Sequence, residues 1–243
     1  LKLFLPALLL LPFLMLSGGC SCGFDCNSND DKNDTALLTL GFSDSIPEDL
    51  KQVVIEVDSI TFRRSGAEDK VVDTFTISQQ GLVDVPTFKI DLLKYRGINQ
   101  LLVIEDLELG VGSYREVSIA ILDGGINNSY VQEANDSLKP ITVSDGKLTL
   151  TGLQLSSGKQ AFTVEFSLAQ PLQLQTADKY LLAKNGIRME NNLTAATLSG
   201  KVSTALFDTA ASCNEKTDPT AGNRIYLYKG IELSNDSLAD VFT

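Results

Sequence analysis

The sequence predicts an all-β chain, an antiparallel β-sandwich or partly closed barrel with at most one or two short helical turns. Three observations predict it. Apolar and polar residues alternate in run after run: Val117, Ile119 and Ile121 with Ser118 and Ala120, then Phe162, Val164, Phe166 and Leu168 with Thr163, Glu165 and Ser167. Gly, Asn, Asp and Ser turns divide the runs. About ten such runs occur, too many for one flat sheet in a chain of 243 residues, which favours two packed layers. The stretch Leu107 to Leu122, with Gly110 and Gly112 ahead of its alternating half, is expected at the centre of the sheet.

The chain opens with Lys2 and an apolar run from Leu3 to Leu16, shorter than the ~20 residues that span a bilayer and ending in Ser17-Gly18-Gly19. Residues 1–19 therefore read as an export signal. Cys20 after these small residues resembles the lipobox of bacterial lipoproteins, whose cysteine takes a diacylglyceryl group and becomes the mature N-terminus. This pattern usually carries Leu three residues before the Cys; here Ser17 holds that place and Leu16 lies one further back. Several acyl chains at about 0.8 kcal/mol per buried methylene anchor a protein durably. Ser21, not Asp, follows the Cys, and by resemblance to lipoprotein sorting this implies the outer membrane. Residues 20–35 are rich in Asn, Asp and Ser and read as a flexible tether. Within it Cys22 and Cys26 either form a disulfide in an oxidising compartment or are incidental.

The β-domain is expected over residues 36–199. Ala36 to Phe42 is its first strand, and Asp44 reads as capping the turn that leads to Pro47. Val53, Ile55 and Val57 sit on one parity and Ile60 and Phe62 on the other, so a bulge is expected at Asp58-Ser59. Ser65 to Asp69 turns the chain back into a strand from Val71 to Ile77. Thr87 to Leu93 and Leu101 to Leu107 follow, separated by a turn at Gly97. Asn127 to Ser137 is a polar excursion. Asp145-Gly146 between two alternating runs predicts a two-residue hairpin, and Asn185-Gly186 a similar reversal. Ala169 to Leu174, with Pro171 in its first turn, reads as a short helical turn.

Four segments together resemble the bacterial family called domain of unknown function 4382: Phe42 to Pro47, Val54 to Phe62, Gly112 to Val117 and Tyr180 to Arg188. The similarity covers Thr35 to Val202. It implies an exported, often lipidated, strand-rich protein, and it lends no catalytic residue and no ligand. Usual members carry a shorter Asp-Ala-Pro where this chain has Asp44-Ser45-Ile46-Pro47. Residues 200–243 contain two further strand patterns, Lys201 to Phe207 and Arg224 to Tyr228, which resemble the opening of a transthyretin-like or carboxypeptidase-regulatory-like β-domain. On that reading the chain stops short of the domain's end and Cys213 has its partner further on; on the alternative, these strands join the main sheet.

Composition narrows the function. The chain has no His and no Trp, so it holds no Ser-His-Asp or Cys-His nucleophile, no zincin motif and no His-ligated metal. Its net charge of -11 opposes nucleic acid. The expected function is a non-catalytic envelope lipoprotein, held on the membrane by its lipid, whose loops bind a glycan, a peptide or an envelope protein. The candidate binding residues are Asp44, Glu48, Asp49, Asn127 and Asp136. The alternatives are a spacer within a larger surface protein and a hydrolase using paired carboxylates, Glu105 with Asp106 or Glu116 with Glu165. Acidic loops carry oxygen donors that suit Ca²⁺, but there is no Asp-x-Asp-x-Asp-Gly loop and no cofactor is expected.

Overall fold

The computed structural model describes residues 35–44, 50–168 and 171–196. The chain divides into two units, Leu1–Asn33 and Asp34–Thr243, and the described residues all belong to the second. Export signal, lipidation site, the tether up to residue 34 and the expected second β-domain at 200–243 lie outside the described residues.

The strands in chain order are β1 (Thr35–Asp44), β2 (Leu50–Arg64), β3 (Lys70–Val72), β4 (Phe75–Ile77), β5 (Leu82–Val85) and β6 (Phe88–Asp91). Then come β7 (Leu101–Gly110), β8 (Gly112–Leu122), β9 (Tyr130–Glu133), β10 (Leu138–Val143), β11 (Lys147–Leu150) and β12 (Leu153–Leu155). The last described are β13 (Gly158–Phe166), β14 (Leu172–Thr176), β15 (Lys179–Leu182) and β16 (Ile187–Asn191). They form a smaller sheet ordered β16-β13-β1-β7, a larger sheet organised on β2, and a small β4-β5 hairpin. The all-β expectation holds, and the layers pack as a sandwich. Most pairs are antiparallel, but β1 runs parallel to β13, and β10 to β15.

The registers show why the larger sheet has so many short strands. Val54 lies between Asp91 and Tyr130, Val57 between Phe88 and Ile121, and Ile60 between Val72 and Ile119. Thus β8 and β9 lie end to end along one edge of β2, and β3 and β6 along the other. One row further out, Pro140 faces Tyr130, Leu148 faces Ile119 and Leu153 faces Tyr114, so β10, β11 and β12 also lie end to end. The centre of this sheet is therefore β2, flanked on both sides, and not the Leu107 to Leu122 stretch.

This arrangement overturns the Asp145-Gly146 hairpin. Both residues sit in a 3-10 turn, Asp145 at φ 57, and the strand kinks there and continues in the same direction. The kink faces the break between β8 and β9. Asp123 Oδ2 accepts the Val143 N–H at 2.9 Å, and buried Ser129 donates to Leu122 O while accepting the Glu56 N–H. Two neighbouring strands break at one level, and side chains satisfy the backbone groups released there. The Asn185-Gly186 reversal is likewise not a hairpin ladder, because β15 belongs to the larger sheet and β16 to the smaller.

Of the other local expectations, the bulge stands in full and the first turn in part. Ladder register slips between Val57 and Ser59, at the expected bulge, and the apolar residues on either side of it are all fully buried. Ser65 to Asp69 forms the turn between β2 and β3, but only Lys70–Val72 pairs back; Phe75–Ile77 joins β5 instead. The helical turn expected over Ala169 to Leu174 does not reach its end: Leu172–Thr176 is β14, whose first N–H bonds Leu168 O, and residues 169 and 170 lie outside the described residues.

Between the layers lie Leu38, Leu40, Phe42, Val164 and Phe166 from the smaller sheet and Val53, Ile55, Ile60 and Phe62 from the larger. Phe42 packs edge-on against Phe166 at 5.6 Å and tilted against Phe88 at 6.3 Å, and Phe88 meets Phe75 at 4.8 Å. These rings tie β1 and β13 to β6 and β4. The sheets also join at a corner, since Val111 alone separates β7 from β8. Arg64 Nη1 donates to Val111 O at 2.6 Å and Tyr114 Oη to Gly110 O at 2.9 Å. A Cβ on Gly110 would lie 2.7 Å from that guanidinium and would push it aside, while Gly112 has φ +125, a conformation that favours glycine.

Candidate functional site

Asp44 is fully buried at the end of β1, where its Oδ1 accepts the Leu168 N–H at 3.4 Å. Its own N–H bonds Tyr95 O at 2.7 Å. The carboxylate thus accepts a backbone N–H, but from the segment after β13. Its neighbour Ser43 donates to Tyr95 O and Asn99 O, fastening the loop between β6 and β7 to the same strand end. Glu48 and Asp49 lie outside the described residues.

Asn127 and Asp136 are exposed, in two different places. Asn127 lies in the β8-β9 excursion, where its carbonyl accepts from Lys89 Nζ. Asp136, at φ 69 in the β9-β10 turn, pairs with Lys51 at 2.6 Å and accepts from Gln132. Interior Asp44 and these two surface residues occupy separate settings.

A polar cluster beside that turn was not legible in the sequence. Glu133 on β9 pairs with Lys139 on β10 at 2.6 Å and accepts from Tyr180 Oη on β15 at 2.9 Å. Lys139 holds the Glu133 carboxyl below the usual carboxylate range, with Tyr180 adding to the effect. Burial, then Glu133, pushes the Tyr180 hydroxyl up to about 12, so it stays a donor at neutral pH. The cluster joins three consecutive strands of the larger sheet.

Of the paired carboxylates, Glu116 and Glu165 lie on different sheets. Glu116 bonds Arg63 and Ser118, whose hydroxyl is the main cause of its lowered pKa. Glu165, in register with Arg188, is raised by burial against the pull of that guanidinium. Glu105 and Asp106 are neighbours on β7 and stand at the mouth of a groove of about 540 Å³. Its walls are residues 103–108 of β7 and, opposite, Lys70, Val72, Thr74, Phe75 and Thr76. The volume falls in the range of ligand sites.

Two irregularities shape that groove. Register between β1 and β7 slips between Gly41 and Leu40 and again between Leu40 and Leu38, so Glu105 and Asp106 both stand opposite Thr39. Asp106 takes φ 50 in this bulge and pairs with Lys159 at 3.5 Å. Adjacent Val103 and Ile104 are both buried, and this break in alternation was the available sequence signal.

Fold and site together define a β-sandwich domain with a bulged edge strand beside an acidic-rimmed groove. The family model described as domain of unknown function (DUF4382) matches residues 35–183, more than half of the chain, and the chain belongs to that family. No curated protein and no solved structure matches it.

Proposed function

We propose that the protein is a non-catalytic lipoprotein of the bacterial cell envelope, anchored through Cys20 in the outer membrane and presenting its β-domain to a glycan, a peptide or another envelope protein. The observation that carries this reading is the leader, an apolar run from Leu3 to Leu16 closing on Ser17-Gly18-Gly19-Cys20. The lack of His supports a binding role over the commoner catalytic arrangements. Two strand patterns and an odd Cys213 beyond residue 200 favour a second reading, a spacer in a larger surface protein.

Pull-down of the full chain, tagged at its C-terminus, against envelope extracts tests the binding role. Saturable enrichment of one envelope component is expected. No enrichment across a range of salt and calcium concentrations contradicts it.

A further inference from the structure

Six consecutive residues of β7, 103–108, line the groove. A strand that offered one face to a cavity would contribute every second residue, so the groove runs along the edge of β7. On its other edge β7 pairs with β1; on the groove side it has no ladder partner among the described residues.

Gln79 shows what this edge accepts. Its side chain donates Nε2–H to Gln100 O at 3.0 Å and accepts the Leu102 N–H at 2.7 Å. Bonds to the carbonyl before Leu101 and the N–H after it are those that one residue of a parallel neighbouring strand would make. The amide closes the edge at Leu102, and the groove begins at the next residue.

Charge selects the occupant. Glu105 and Asp106 face Thr39 and Glu108 faces Leu37, and because Leu37 and Thr39 share one face of β1, the three carboxylates share the outer face of β7. Lys159 pairs with Asp106, while Glu105 and Glu108 make no ion pair with a described residue. Lys70 is the one base of the lining. The floor is apolar, with Val72, Phe75, Val103 and Ile104.

We propose that an extended, basic peptide segment of a partner protein adds to β7 in this groove, its backbone bonding the strand edge and its lysine or arginine side chains facing Glu105 and Glu108. Six residues at the usual strand rise give roughly 20 Å of extended chain. Strand addition of this kind takes affinity from the backbone and specificity from alternate side chains. The bulges bend the edge away from a flat neighbour, which disfavours pairing with a strand held in the sheet of another copy, whereas a free peptide can bend to follow it. This inference rests on the reading of the domain as a binding module and gives that module a site and a partner chemistry.

The test is fluorescence anisotropy of the full chain with a labelled heptapeptide of alternating lysine and valine, against the same peptide with glutamate for lysine. The lysine peptide is expected to bind and to weaken as salt rises, and the glutamate peptide not to bind. Two changes to the protein are each expected to weaken binding by roughly tenfold or more: E105K combined with E108K, and Thr74→Arg. N-methylation of the peptide at alternate residues is expected to do the same in one of its two registers, the one whose N–H groups face β7. Glu105, Glu108 and Thr74 are exposed, so circular dichroism of the variants should match the parent. Equal binding of the two peptides, no binding of the lysine peptide, or full binding by the Thr74→Arg protein overturns the proposal. Full binding of both N-methylated peptides overturns strand addition. Failure here with a positive envelope pull-down removes the groove and leaves the binding module standing.

Discussion

Deleting Thr61 is expected to destabilise the domain strongly, and deleting Asp58 is not. Ladder partners jump from Val57 to Ser59, so Asp58 is the extra residue that lets Ile60 and Phe62 face the same interior as Val53, Ile55 and Val57. Removing it leaves a regular strand with the same alternation and the same ladder to β8. Removing Thr61 instead makes Ile60 and Phe62 adjacent, and one of the two must then turn to the outer face. Exposing that fully buried side chain costs about 1.5–3 kcal/mol, against a whole-domain stability on the order of 5–15 kcal/mol. Urea unfolding followed by circular dichroism checks it. The Thr61 deletion should unfold well below the parent midpoint and the Asp58 deletion closer to it. A Thr61 deletion with the parent's midpoint, or an Asp58 deletion less stable than the Thr61 deletion, would mean that the bulge does not set the facing of β2.

The second large effect is expected at Phe42. Its ring lies between Phe166 and Phe88 and connects the smaller sheet to β6. Phe42→Ala removes these contacts from a position with no exposure, and the expected loss is about 3–5 kcal/mol. The same urea titration should show a lower midpoint with an unchanged slope, since the native and unfolded surfaces barely change. A loss under about 1 kcal/mol would place the ring outside a tightly packed core.

What could be read from the sequence follows from how local its cause is. The bulge at Asp58 was legible because a change of parity is written in five apolar positions of one strand. The turn Ser65 to Asp69 was legible because its length and composition fix the return. Asp145-Gly146 misled because a two-residue turn is a local preference, whereas strand pairing there is decided by the neighbouring β8-β9 row, broken at the same level. The one-residue corner at Val111 looks the same in sequence whether it joins strands of one sheet or of two. The bond from Arg64 to the Val111 carbonyl marks the corner, and it joins residues 47 apart in sequence.

The candidate site follows the same division. Asn127 and Asp136 lie in polar excursions and are exposed, as their surroundings imply. Asp44 sits in an equally polar stretch, yet the parallel pairing of β1 with β13 encloses it, and a strand near residue 36 gives no local sign of a partner near residue 160. The groove arises from slipped register in β7. Val103-Ile104 carried that signal, but its meaning depended on which strand lay alongside.

The tether is the central claim, and mass spectrometry of the mature N-terminus from a Gram-negative host tests it most directly. The account predicts a chain that begins at Cys20 and carries a diacylglyceryl group on sulfur. A mature chain that starts elsewhere, or that bears a free thiol at Cys20, contradicts it.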